Sequence, residues 1–587
     1  MKIGRLWRTI RHLGPSQLTH RVRLRARRAF MARFPIAARR RAETRASKLA
    51  PADIGSKIMA DIAEIVLAHQ TTVHGDHLDG VAHASFMLHN QLFEFAAIEN
   101  IDWRGDFREG NNPLRRMTLA YMGYIPPLLA RGRAGDLALA ARIVKSFDAG
   151  NQWGVAGVLG DAWHPYTASH RLINLLAGLA LYGKAGGPVD MDAEDDILRH
   201  ARLCAAHILA NLERDVQYNH LMKNLVALSV YGTELAKGSR RSVAQCVLAD
   251  GGHAERSPMY HLLALLDLRI LRACGLESEI VAKMETALRV MTHPDGEIAL
   301  FNDSWVGEAP PPSELIPLGE MPEIATLEKT GYTRLGRGGD ADRGGDAVIF
   351  DHGPCGPDDN PAHAHADFLS VEISVGGRRL IVDPGVATYT AGDMRQATRS
   401  AASHNGPQIA GQDTLELWGS FRVARRARAG ALVDSALAGF APLHCVGWHD
   451  GYRSRGIGVR RFVGLWPGAG VLLCDLWLGG AGAIGKSGFL IPADWRITGA
   501  APLTFEQNDV TLRMEALTGI IVDVEPGQYW PRFEMPEPAH EITLTPDPVG
   551  PDMRAALWVS WDNSAAKPDN ETLARLFDAL ARAEGGS

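Results

Sequence analysis

Long apolar runs are missing from this sequence. No stretch of about 18 uninterrupted apolar residues occurs, so a membrane span is not expected. Cysteine is scarce and scattered: Cys204, Cys246, Cys274, Cys355, Cys445 and Cys474 include no CxxC pair, which argues against a disulfide framework or a Cys-ligated zinc site. Net charge is also small, −5 over 587 residues, so the chain as a whole has no general attraction for polyanions and a nucleic-acid partner is not expected. Acidic residues are nearly absent from one place. The first 48 residues carry 15 Lys/Arg and a single acid, Glu43. Runs such as RVRLRARR (Arg21 to Arg28) and ARRR (Ala38 to Arg41) suit an anionic ligand, whether nucleic acid, glycan or lipid. The commoner role for such a segment is a basic amphipathic arm packed on an acidic surface. These arginines also interrupt any apolar core of a secretory signal, so reduced thiols in a cytoplasmic protein fit best. A periplasmic or exported protein using a nonstandard route stays open.

What is present divides the chain. A length of 587 residues exceeds one ordinary core, and 46% hydrophobic with 22% charged residues is the composition of a globular protein. The expected divisions are a basic arm (1–50), a helical domain (51–322) and a β domain (323–587). In the second, apolar residues recur at three and four, as in DLALAARIVKSFDAG from Asp136, ILRHARLCAAHILANLERD from Ile197 and MYHLLALLDLRILRACG from Met259. Consecutive helix pairs of this length suit a bundle, a solenoid or a closed α/α toroid. A Pro-rich connector, EAPPPSELIPLGEMP (Glu308 to Pro322), precedes a change of period to two. AVIFDHG, FLSVEISVGGRRLIVDPG and RRFVGLWPGAGVLLCDLWL then predict antiparallel strands, with Gly376-Gly377 as a tight hairpin turn and a short helix near 571–583.

The most chemical stretch is NPAHAHADFLS (Asn360 to Ser370). His363 and His365, two apart, can share one side of an extended segment. Asp383 follows the strand RRLIV, and His404 lies in the polar loop RSAASHNG. Two histidines and an aspartate with a fourth, open position make a plausible zinc set. Scattered His and Asp of this kind are more often polar loop or cap residues.

The run PAHAHADFLSVEISVGGRRLIVDPGVATY, followed by RSAASHNGPQIAG, resembles the heparinase II/III family of polysaccharide lyases. Three segments of the helical half resemble it too: WHPYTASHRLINLL (Trp163 to Leu176), NHLMKNLVAL (Asn219 to Leu228) and DGGHAERSPMYHLLAL (Asp250 to Leu265). The resemblance spans about residues 90 to 480. It implies an N-terminal α/α toroid followed by a C-terminal antiparallel β-sandwich, with a glycan cleft between them.

The activity it implies is β-elimination at a uronic acid of an acidic polysaccharide, leaving a 4,5-unsaturated uronate. Such a site needs donors for the substrate carboxylate, a base and an acid. On the resemblance, Asn219 and His220 grip the carboxylate, Tyr260 serves as acid and in some cases base, and His363 assists as base or carboxylate partner. Tyr389 is a second candidate tyrosine. Trp163, Tyr166, Arg171, Asn174, His261 and Arg399 are candidate sugar contacts. His365, Asp383 and His404 hold a structural zinc, with Asp367 or Glu372 behind the imidazoles. Ordinary structural roles compete: Asn219 as a helix cap, Tyr260 as a core aromatic, Arg171, Asn174 and Arg399 as structural ion-pair partners. Two other functions stand beside the lyase: a noncatalytic glycan-binding protein in exopolysaccharide or cell-surface glycan assembly, and a metal-dependent hydrolase, which would give saturated products.

Overall fold

The computed structural model describes residues 3–583, apart from 109, 111, 234–236, 276–277, 337–344, 481 and 563–566. The chain begins with three consecutive helices, Ile3–Ile10, Pro15–Arg33 and Pro35–Ala46, so the basic segment is folded. The middle helix buries Gln17, Leu24 and Met31, spaced by seven, and turns its other side to solvent.

Helices dominate up to residue 315. The helix Pro165–Lys184 lies at the centre, packed by Lys57–His74, Met191–Ala210 and Tyr218–Val230. Fifteen of its residues are buried, including Leu172, Leu175, Leu176 and Leu179, because helices surround it on several sides. Local chemistry sets the helix starts. Ser257 caps Pro258–Ala273 by accepting from the Tyr260 N–H at 3.1 Å, and Pro258 supplies a pre-set φ at the first helical position. Asp190 caps Met191–Ala210 in the same way.

From Ile324 onward strands replace helices. Five form an antiparallel meander: Ile324–Leu327, Tyr332–Leu335, Ala347–Asp351, Val371–Val375 and Arg378–Ile381. Gly376 and Gly377 take φ of +55° and +79° at its last turn, the left-handed pair that a two-residue hairpin requires. A four-stranded sheet includes the long hairpin Ile520–Arg532/Met535–Thr545, and a nine-stranded sheet closes the domain. The three sheets share one core, in which Phe350, Ile373, Phe489, Ile542, Leu473 and Leu557 are all buried. The outer face of the nine-stranded sheet is covered by the final helix, Asn570–Arg582, through Leu573, Leu576, Phe577 and Leu580.

The two domains meet along several lines. Ala287, Val290 and Met291, at the end of the last long helix, pack on Tyr332 and Ile349 of the meander. The tip of the long hairpin reaches the helical side, where Glu534 takes the Arg115 guanidinium at 2.5 Å. Tyr218 donates its hydroxyl to Asp359 across the cleft at 2.5 Å.

Candidate active site

Three segments line the cleft, each entered by a non-glycine residue in the left-handed region. Gln217 (φ +65°) and Tyr218 (φ +42°) precede Asn219-His220; Arg256 (φ +58°) precedes Ser257 to Tyr260; Asn302 (φ +58°) precedes Asp303. Each such residue costs about 1–3 kcal/mol, a strain that persists only where the surroundings impose it.

On the helical side, Gln217 occupies the cap position, so Asn219 is the second residue of its helix and not the cap. The Asn219 amide oxygen is buried without a partner, which leaves that end free for a ligand. His220 donates from Nδ1 to Glu213 Oε1 at 2.8 Å, and its side chain is 28% exposed. Glu213 is fully buried and also accepts from the Asn224 amide at 3.0 Å. Burial alone would raise the Glu213 carboxyl; His164, His220 and Asn224 outweigh it and hold it at about 2. Burial alone would lower His220, and Glu213 outweighs that, so the imidazole lies above its ordinary 6.5. His220 is therefore a cation-favouring donor with Nε2 left for substrate. The Tyr166 ring lies 4.4 Å away.

Facing it, Tyr260 stacks on His363 with ring centroids 3.8 Å apart, and its hydroxyl lies 3.4 Å from that of Tyr389. Burial, then Tyr389 and Asp303, push the Tyr260 phenol well above its ordinary range, so it stays protonated. His363 donates from Nδ1 to Asp303 Oδ2 at 3.0 Å, which fixes the tautomer and leaves Nε2 as the lone-pair side. Glu255 Oε2 stands 3.4 Å from that Nε2. Burial raises the Glu255 carboxyl, against the pull of His363 and His220.

Asp303 organises this corner. It takes both histidines of the HxH run, with His365 donating from Nε2 at 2.9 Å. The Arg395 guanidinium holds the same carboxylate bidentately at 2.6 and 2.8 Å. Burial would raise Asp303; Arg395 and the two imidazoles instead hold it well below the usual carboxylate range.

Behind His363 lie His365, Asp383 and His404, all buried. His404 donates from Nδ1 to Asp383 Oδ2 at 2.7 Å. His365 Nδ1 and His404 Nε2 are both buried without partners, and the two rings are 5.3 Å apart. Burial and the nearby Glu372 push the Asp383 carboxyl up. Two orphaned imidazole nitrogens beside a buried carboxylate suit a cation, since an unpaired buried donor or acceptor costs about 1–3 kcal/mol. Ligand atoms of these three residues do not all come within 4.8 Å of one another, however. Among the described residues the group that does is His164, Glu213 and His220, which has metal-ligand spacing on the helical side. Arg28 Nη2 lies 3.4 Å from His164 Nε2 in that group.

Several sugar-contact expectations are corrected by burial. Trp163 is fully buried and donates to the Asn151 carbonyl. Arg171 is fully buried, bonds the Ala120 and Ala162 carbonyls, and stacks on Phe147. His261 is 1% exposed, with Nε2 on the Met284 carbonyl and Nδ1 accepting from the His253 N–H. Arg399 is fully buried and bonds the Ala364, Gly419 and Ser420 carbonyls. All four make structural contacts inside the fold. Asn174 donates to the Tyr121 carbonyl and, with Tyr166, Tyr260 and Tyr389, lines a cavity at the domain boundary. The expected backing by Asp367 and Glu372 takes another form: Asp367 accepts from the Asn302 N–H, and Glu372 from the Leu300 and Asp383 N–H groups and from His293. Glu213, Glu255, Asp303 and Arg395 went unpredicted. Glu255 lies inside a quoted motif, and the polar run Asn302 to Ser304 between Phe301 and Trp305 was the available signal for Asp303.

A helical domain followed by an antiparallel β domain is also the fold of solved heparinase and heparan sulfate lyase structures. A crystal structure of heparinase III aligns with a TM-score of 0.64 at 15% identity, over 87% of this chain and 86% of that one. A mutant of the heparan sulfate lyase HepC from Pedobacter heparinus aligns at 0.54 and 16% identity, over 91% and 89%. The expected helical N-terminal and antiparallel C-terminal fold is thus present. Residues 321–567 match the family model "Heparinase II/III-like, C-terminal". No curated protein matches the chain.

Proposed function

We propose that the protein is a polysaccharide lyase that cleaves a uronic-acid-containing acidic polysaccharide by β-elimination. The observation that carries the reading is the Tyr260–His363 stack across the domain boundary, with a protonated phenol beside an imidazole whose Nε2 is left as a base. In the proposed reaction His220 and the NH2 end of the Asn219 amide donate to the uronate carboxylate and favour charge developing there once C5 loses its proton. His363 Nε2 takes that proton, the C5–H electrons form the C4=C5 double bond, and the C4–O4 bond breaks. Tyr260 gives its proton to the departing O4. The raised phenol suits an acid and disfavours the same residue as base, which assigns that role to His363.

Zinc belongs to the same proposal as a structural ion near His365, Asp383 and His404, supported by the two orphaned nitrogens. It would pin the HxH loop, the strand end and the His404 loop together. Lyase activity is tested by incubating the protein with a panel of uronate polysaccharides and following ultraviolet absorbance of unsaturated uronate. Product from at least one polymer is expected; saturated products or none from any would reject the reading.

A further inference from the structure

The N-terminal helices carry two classes of arginine. Arg5 and Arg8 pair with Glu416, Arg21 lies 3.9 Å from Asp215, and Arg39 pairs with Glu43. Arg23, Arg27, Arg41 and Arg45 instead converge on a groove of about 340 Å³ between the second and third helices and the helical domain. Among the described residues none of these four has a carboxylate within 4.0 Å; the Arg27 guanidinium donates only to the Ala210 carbonyl. Burial and then the other three arginines lower Arg27 from its ordinary value, the sign of cations crowded without a counter-charge. The groove floor is apolar, with Met31, Ala38 and Trp153.

Its outer edge is apolar as well. Phe30 is 50% exposed and packs on Phe34, itself 48% exposed, with ring centroids 5.2 Å apart. Val22 and Ile36 are each 70% exposed. On the solvent side of the Pro15–Arg33 helix the exposed row at helical spacing is Leu18, Val22, Arg25, Ala29 and Arg33, apolar residues interleaved with arginines. An apolar face flanked by unpaired arginines is the pattern of a helix lying in a lipid interface. A soluble anion would use the guanidiniums and leave the aromatic edge without a role; a lipid uses both.

We infer that the N-terminal helices dock on an anionic phospholipid surface, seating a lipid phosphate among Arg23, Arg27, Arg41 and Arg45 while Phe30 and Phe34 enter the acyl boundary. The test is co-sedimentation of the full chain with vesicles of phosphatidylcholine containing 30% phosphatidylglycerol, against pure phosphatidylcholine. Binding is expected only to the anionic vesicles and should fall steeply with added salt. The triple variant Arg23→Gln/Arg41→Gln/Arg45→Gln spares Arg27 and breaks no ion pair, so it should melt like wild type. It should bind roughly a hundredfold more weakly, from about fivefold per arginine near an anionic surface. Phe30→Ser/Phe34→Ser should weaken binding without changing its salt dependence. Absence of vesicle binding, equal binding by either variant, or stabilisation by inorganic phosphate or a heparin oligosaccharide without vesicle binding would overturn the inference. Should the triple variant melt early, the wild-type salt titration decides: binding indifferent to salt sinks the arginine cradle.

Discussion

Replacing Glu213 by Gln tests the electrostatics of the cleft most directly. The change keeps the side-chain shape and an acceptor for His220 Nδ1 at 2.8 Å, and removes only the charge. Glu213 sits at about 2 in the folded protein against an ordinary 4.5. A shift of that size corresponds to about 3 kcal/mol. Because the folded value is depressed, this stability is present above about 4.5 and lost as pH falls toward 2. His220 has the opposite sign: its folded value is raised, so its contribution is full below about 6.5 and fades as pH rises through the folded value. The pair contributes most between those limits. Without the carboxylate, His220 loses the largest charge that offsets its burial, leaving only the weaker pull of Glu255 and Asp215, and its preference for the cation falls. A charge-assisted contact to the substrate is worth about 1.5–3 kcal/mol, so kcat/KM should drop by roughly tenfold to a hundredfold. The loss should shrink as pH is lowered and His220 regains its proton. The assay combines unsaturated-uronate absorbance from pH 5 to 9 with urea unfolding at pH 4 and pH 6. A variant with a wild-type pH profile and an unchanged urea midpoint at pH 6 would refute the reasoning.

Other outcomes follow from the same geometry. Tyr260→Phe should fold normally and bind glycan with near-native affinity, yet lose at least about a hundredfold in turnover, as expected for a missing general acid; elimination at close to the wild-type rate would move the role to Tyr389. Metal analysis should find one zinc per chain in wild type and much less in His365→Ala, with an earlier thermal transition because metal binding is coupled to local folding. Equal zinc in both would place the ion elsewhere. Arg461→Leu leaves Asp475 buried without the guanidinium that holds it at 2.6 and 2.7 Å, and should cost about 3–5 kcal/mol in urea unfolding; a loss below 1 kcal/mol would show that water or a rearranged neighbour reaches the carboxylate.

The change from a period near 3.6 to a period of 2 was legible in elements with one buried face, such as Asp136–Gly150 and Val510–Thr518, and not in Pro165–Lys184 or Val371–Val375, which are buried on more than one side. The Gly376-Gly377 turn and the final helix were legible for the same local reasons, a φ requirement and an amphipathic stripe. Tyr260 and His363 could be named from motifs, but their stack could not, since it joins residues about 100 positions apart. Asp303 was hidden for a related reason: its three partners, His363, His365 and Arg395, all come from the other domain. The buried arginines misled in the opposite direction. Arg171 and Arg399 look like ligand-binding cations in one dimension, whereas in the fold Arg399 donates to loop carbonyls and Arg171 donates to the Ala120 and Ala162 carbonyls and to the His200 imidazole.

The first helix has a temporal consequence. Arg5 and Arg8 meet Glu416, more than 400 positions downstream, and Gln17 reaches Asp359. During synthesis the arm emerges first, yet its partners on the β domain arrive only after most of the chain has been made. Each surface ion pair there is worth at most about 1 kcal/mol, so the contacts can close only once both domains already hold their shape. The first helix and Gln17 therefore stay unanchored until the β domain is made, whereas the arginines from Arg21 onward meet partners on the helical domain earlier. A chain stopped before residue 359 would leave Arg5, Arg8 and Gln17 without their β-domain partners while the second and third helices could still pack on the helical domain.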